Sequence, residues 1–213
     1  NVGSIQVYSG ITPVSVGGDS IGGAIVVNSA APEFAKPGEG TLLKGQAGTF
    51  YRSNGNGKGG NVSATVASDK ASLTYSGSTA ESGNYEAAQD FKATMKPSQL
   101  ATTVKKPGAS EVGSSLYKTE NQSLGFALLH EDHLLELKLG VQNIPRQGFP
   151  NQRMDMTSNE SDQVNLHYIG QYQWGTLEAR VYNENTRHKM NFLDNKLQIG
   201  NPAGMPMDTE GRN

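Results

Sequence analysis

Connections of alternating length constrain this chain more than any other feature. Segments that alternate apolar and polar residues are joined by links that run long, short, long, short. The short ones centre on Ser68-Asp69-Lys70, Glu131-Asp132-His133 and Gln173-Trp174-Gly175. The long ones run from Ala80 to Thr119 and from Ile144 to Ser161, well beyond the usual few residues. A soluble sandwich has no reason to gather its tight turns at one end. A membrane β-barrel does, with short turns on the periplasmic side and long loops outside.

The alternation has period two, as strands require. Val62, Ala64 and Val66 oppose Ser63 and Thr65; Leu73 and Tyr75 oppose Ser72, Thr74 and Ser76. Leu135, Leu137, Leu139 and Val141 oppose Glu136, Lys138 and Gln142. Val164, Leu166 and Tyr168 oppose Asn165 and His167, and Leu177, Ala179 and Val181 oppose Glu178, Arg180 and Tyr182. Leu124, Phe126 and Leu128 mark a less regular strand over 122–130. The expectation is an all-β fold: a partial transmembrane antiparallel β-barrel of about seven strands, each near the 9–11 residues that cross a bilayer at a tilt. A sandwich would turn the leucine face into a protein core instead. Tyr172 and Trp174, beside a short turn, fit an interfacial aromatic girdle and favour the barrel.

Composition removes several classes. The net charge of −2 gives no nucleic-acid signal, and the absence of Cys excludes a disulfide framework and Cys-based zinc sites. No apolar run of about 18 residues is present, so no transmembrane helix is expected, which does not count against strands. The sequence shows no terminal punctuation and reads as an internal fragment of a longer protein.

Residues 1–39 differ from the rest. Ile5, Val7 and Tyr8 suggest a strand, and Ala24-Ile25-Val26-Val27 a second one buried on both faces. Between them Gly10, Gly17, Gly18, Gly22 and Gly23 suggest tight turns. Ala31 to Gly38 reads as a linker, and barrel strands occupy 40–213. Gly18-Asp19-Ser20-Ile21-Gly22 matches the G-x-S-x-G elbow, but a strand-like segment follows where a hydrolase needs a helix. No catalytic residue is expected. Gly55-Asn56-Gly57-Lys58-Gly59-Gly60 satisfies G-x-G-x-x-G, yet it too precedes a strand and reads as a mobile hairpin tip. His130-Glu131-Asp132-His133 reads as a charged turn rather than a metal pair.

The methionines gather near the long loops. Met154 and Met156, His188 and Met190, and Met205 and Met207 are i, i+2 pairs, so in extended chain each pair points one way. Thioether and imidazole suit copper, above all Cu(I). The same residues also serve as adaptable packing between loops.

Together these residues resemble the TonB-dependent outer-membrane receptors. Ile5-Gln6-Val7-Tyr8-Ser9-Gly10, Val16-Gly17-Gly18 and Ser20-Ile21-Gly22-Gly23-Ala24-Ile25-Val26-Val27 look like the last third of that family's plug domain, with Val26-Val27-Asn28 where many members end on Thr-Lys. The resemblance implies residues 1–39 as the end of a plug and 40–213 as the first strands of a 22-stranded barrel. It implies active import across the outer membrane of a Gram-negative bacterium, driven by the TonB complex acting on a segment outside this chain. The partners implied are outer-membrane lipid, that complex, and a metal ion or metal chelate, with no intrinsic cofactor. His188-Lys189-Met190 is similar to the His-x-Met of copper-importing members, which makes copper the transported ligand, with Met154, Met156, Met205 and Met207 assisting. A siderophore- or cobalamin-type receptor would use Phe149, Arg153, Tyr182 and Arg187 instead. A passive porin, or a secreted β-sandwich binding protein, are the readings outside the family.

Overall fold

The computed structural model describes residues 2–16, 20, 22–90, 108–191 and 207–212. It divides into two compact units, residues 1–33 and 34–213.

The first unit is an antiparallel ribbon of β1 (Val2–Ser9) and β2 (Gly23–Ser29), joined through a 3-10 turn at Val14–Val16. Ile5 pairs with Val27 and Val7 with Ile25, so the middle of one face of the ribbon is branched aliphatic. These four side chains are exposed within the unit. The expectation of a β2 buried on both faces is therefore not met: a two-stranded ribbon has no second layer to supply that burial. The turn glycines behave as their spacing suggests. Gly10 and Gly23 have φ of +82° and +112°, and a side chain on Gly23 would collide with the Tyr8 carbonyl. Gly22 is described without a neighbour that excludes a side chain, and Gly17 and Gly18 lie outside the described residues.

The second unit is built on one eight-stranded antiparallel sheet. Its strands are β3 (Leu42–Arg52), β4 (Gly57–Ala67), β5 (Ala71–Ser82), β8 (Tyr117–His130), β9 (His133–Gln147), β10 (Asp155–Tyr172), β11 (Gly175–Asn191) and β12 (Met207–Arg212). They lie in the order β12-β11-β10-β9-β8-β5-β4-β3. A small hairpin, β6 (Tyr85–Glu86) with β7 (Glu111–Val112), sits in the β5–β8 connection. The eighth strand escapes a count from hydropathy because Met207–Arg212 has no apolar alternation.

Register turns the period-two pattern into two unlike faces. Leu43, Val66, Leu73, Phe126, Leu137, Leu166 and Val181 form one continuous cross-strand row over seven strands. Lys44, Thr65, Thr74, Gly125, Lys138, Asn165 and Tyr182 form the next row, on the other face. The apolar face carries no covering layer: Leu128 and Leu135 are 41% and 39% exposed. Among the described residues the buried hydrophobics are only Ala35, Ala67 and Ala127. Burial instead falls on polar groups of the opposite face, with Glu136 at 8%, beside Ser72, Asn159 and Ser161. A soluble sandwich has the reverse distribution. This is the wall of a partial β-barrel.

The apolar band has definite limits. At the turn end, His133, Tyr168, Tyr172 and Trp174 form one cluster. Tyr172 stacks on Trp174 with centroids 5.2 Å apart, and the Tyr168 and Tyr172 hydroxyls are 2.6 Å apart. Gly170 lies beneath it, where an added Cβ would meet the Tyr168 hydroxyl and the His133 ring. At the other end the same face turns polar along Glu120, Asn143, Glu160, Arg187 and Glu210. From Tyr172 to Asp162, strand steps of about 3.3 Å at a tilt of about 45° cover roughly 23 Å. That is close to the apolar band of an outer-membrane barrel, about 25 Å.

Strands β8 to β11 run 14 to 18 residues, longer than a crossing needs. The segment from Ile144 to Ser161 is therefore not a long loop: strand pairing continues on both sides, leaving 148–154 as the connection. Polar residues there hide the strands from an alternation test. The Gly55 tip is likewise tied down. Asn54 donates to the Glu86 carbonyl at 2.8 Å and accepts from the Glu86 amide at 2.7 Å, and the Gly83 amide donates to the Gly55 carbonyl at 2.7 Å.

Candidate metal-binding row at the loop end

The Ser20 hydroxyl donates to the Gly23 carbonyl at 2.6 Å and the Thr12 hydroxyl donates to the Ser20 carbonyl at 3.2 Å. These bonds make Ser20 a turn residue. The His130–His133 segment is a tight turn closing β8 onto β9, as its charges suggest.

The loop end of the polar face is where the soft side chains meet. Met156 of β10 stands opposite Met190 of β11, and Met190 opposite Met207 of β12. Gln147 and Tyr117 continue the row onto β9 and β8. Neighbouring strands are about 4.8 Å apart, so the three methionines span roughly 10 Å, with Met190 central. His188 precedes Met190 by two positions and shares its face. Its Nδ1 lies 3.1 Å from Asn159 Oδ1. Met156, Met190 and His188 are half-buried and Met207 is 49% exposed. Thioethers and an imidazole at this spacing are a donor set for a soft monovalent cation.

Not every residue of the expected set takes part. Met154 lies in the turn before β10, so the period-two argument does not reach it. Met205 lies outside the described residues. Arg187 is on the opposite face from His188 and pairs with Glu210 at 3.7 Å. Among the described residues no group of three or more His, Asp and Glu is arranged to hold a metal.

Met156 reaches this row through two bulges in register. β10 gains one residue against β11 between Met156 and Ser158. β9 gains one against β8 opposite Lys118 to Glu120, at Ile144-Pro145. Proline in a strand interior fits such a bulge, since it has no ladder N–H to give.

Two features had no signal in the sequence pattern. The first is Asp155, 0% exposed, which accepts from the Ser114 hydroxyl at 2.9 Å and the Phe149 amide at 2.8 Å. It clasps the β7–β8 segment to the 148–154 connection, beside the methionine row. Asp155→Ala is expected to remove the buried acceptor that the Ser114 hydroxyl and the Phe149 amide share and cost about 1–3 kcal/mol. Limited proteolysis should then cut within 148–154 faster than in the unaltered protein. The second is Asn159, which touches His188.

Further down the polar face, His167 sits between two carboxylates, with Glu136 3.1 Å from Nδ1 and Glu178 2.8 Å from Nε2. Lys138 lies 3.5 Å from Glu136. These groups line the wall below the methionines.

No protein-family model matches the chain, and no curated protein sequence does. Among solved structures it is similar to the copper transporter OprC, with a TM-score of 0.77 at 19% sequence identity. The match covers 98% of this chain and 29% of that one, so the chain spans less than a third of the transporter's length. At this identity the likeness establishes a shared fold.

Proposed function

We propose that the chain is part of a TonB-dependent outer-membrane receptor that imports a metal at its extracellular face, and that the metal is copper. Residues 1–39 form the end of its plug and 40–213 its first barrel strands. The observation that carries the copper reading is the cross-strand row Met156–Met190–Met207 with His188 beside it. Three thioethers and one imidazole, without Cys, favour Cu(I) over harder divalent ions. The shared fold with a copper transporter supports the transport class.

The mechanism is capture and release without covalent chemistry. The row holds the ion by soft ligands with no formal charge, so the occupied site carries the ion's single positive charge in a polar wall. The receptor's partners are outer-membrane lipid against the leucine face, and the TonB complex acting on a segment outside this chain.

The test uses the full parent receptor, purified in detergent and titrated with Ag(I) as an air-stable stand-in for Cu(I). Saturable binding that survives excess Zn(II) is the expected result. Indifference to Ag(I) and Cu(I), with tight binding of an iron or cobalt chelate, would replace copper by a chelate within the same class.

A further inference from the structure

The bonds around His188 carry information beyond its identity as a ligand. Five side chains on four neighbouring strands form one directed chain along the polar face. Asn159 Oδ1 lies 3.1 Å from His188 Nδ1. The Asn159 amide Nδ2 donates to Gln142 Oε1 at 3.4 Å. Gln142 Nε2 donates to Asn121 Oδ1 at 2.8 Å, and Asn121 Nδ2 donates to Thr119 Oγ1 at 3.0 Å.

An amide has one accepting prong and one donating prong. In Asn159 the donating prong is committed to Gln142, which leaves only the carbonyl oxygen for His188. In this orientation of the amides oxygen accepts, so His188 Nδ1 carries the proton. A neutral imidazole has a single N–H, and Nε2 is then the bare nitrogen. Reversing this tautomer would set Asn159 Oδ1 against Gln142 Oε1. Relief would require all three amides, Asn159, Gln142 and Asn121, to turn over together. Asn159 is buried at 9% exposure, so water is a poor substitute partner.

We propose that Asn159, backed by Gln142 and Asn121, is a positioning residue that fixes His188 as the Nδ1–H tautomer and reserves Nε2 as the ligand atom for a soft monovalent cation. The tautomer assignment stands on the hydrogen bonds alone; the identity of the cation rests on the copper reading above. Histidine ligands commonly give their second N–H to a carbonyl in this way, and removal of that partner typically weakens metal binding by about 10–100-fold.

The experiment is nitrogen-15 spectroscopy of the histidine rings in the full parent receptor, at mildly alkaline pH and without metal. The His188 signals are assigned by their loss in His188→Gln. The expected result is a protonated Nδ1 and a bare Nε2. Asn159→Leu should give a mixed or reversed tautomer, whereas Asn159→Asp keeps an acceptor against Nδ1 and should preserve it, with the Gln142 and Asn121 amides turned over to face the second carboxylate oxygen. Ag(I) affinity should fall about 10–100-fold in Asn159→Leu and recover to within a few-fold in Asn159→Asp. A bare Nδ1 in the unaltered protein overturns the proposal, as does an unchanged tautomer in a folded Asn159→Leu. A protonated Nδ1 in a receptor that ignores Ag(I) upholds the amide relay and overturns the copper reading instead.

Discussion

If the leucine face meets lipid, as proposed, Leu137→Arg is expected to destabilise the parent protein by about 2–4 kcal/mol, the range for a cation placed on a lipid face near the bilayer midplane. Leu137 lies in the middle of the seven-strand apolar row, between Phe126 and Leu166. Ser123→Arg is the matched control. Ser123 is an exposed residue on the polar face, in the row of Ser63, Ser76, Gly140 and Gln163. A long cation there can remain in water, so its cost should stay within about 0.5 kcal/mol. Equilibrium urea unfolding of the parent protein from lipid vesicles reads both values. If Ser123→Arg proved the costlier of the two, the leucine face would be the wet one and the membrane assignment would fail.

The second large effect concerns the soft row. His188→Ala and Met190→Ala should each weaken Ag(I) binding on the order of a hundredfold, at least the 10–100-fold seen when a group that only orients a ligand is lost. Met190 is central, with a methionine on either neighbouring strand, so its removal leaves Met156 and Met207 about 10 Å apart. Met154→Ala, at a turn position outside the row, should change affinity little. Isothermal titration of each variant separates these outcomes. Unchanged affinity in both His188→Ala and Met190→Ala would remove copper from consideration.

Much of the barrel wall was legible because its two faces carry opposite chemistry on alternate residues. Leu135, Leu137 and Leu139 announce one face, and Glu136 and Lys138 the other, without reference to any partner strand. The outer halves of β9 and β10 were not legible. There Gln142, Asn143, Asn159 and Glu160 are polar on both parities, and only pairing with neighbours keeps them extended. β12 fails for the same reason. The candidate site was half visible: His188 and Met190 share a face by simple spacing. The Asp155 clasp and the amide relay depend on contacts between residues 17 to 41 positions apart, which no local pattern encodes.

Counting by twos from Val164 and Leu166 assigns Met156 to the hydrocarbon side. It stands across from Met190 only because β10 holds one surplus residue just after it, matched by another in β9. The strand thus shifts phase where it leaves the greasy zone. Deleting Thr157 would remove the surplus residue and leave Met156 across from Met190 in regular pairing, whereas a strand that kept Thr157 but lost the bulge would turn Met156 to the outside. The one surplus residue is therefore what carries onto the methionine row a side chain that plain alternation would assign to the leucine face.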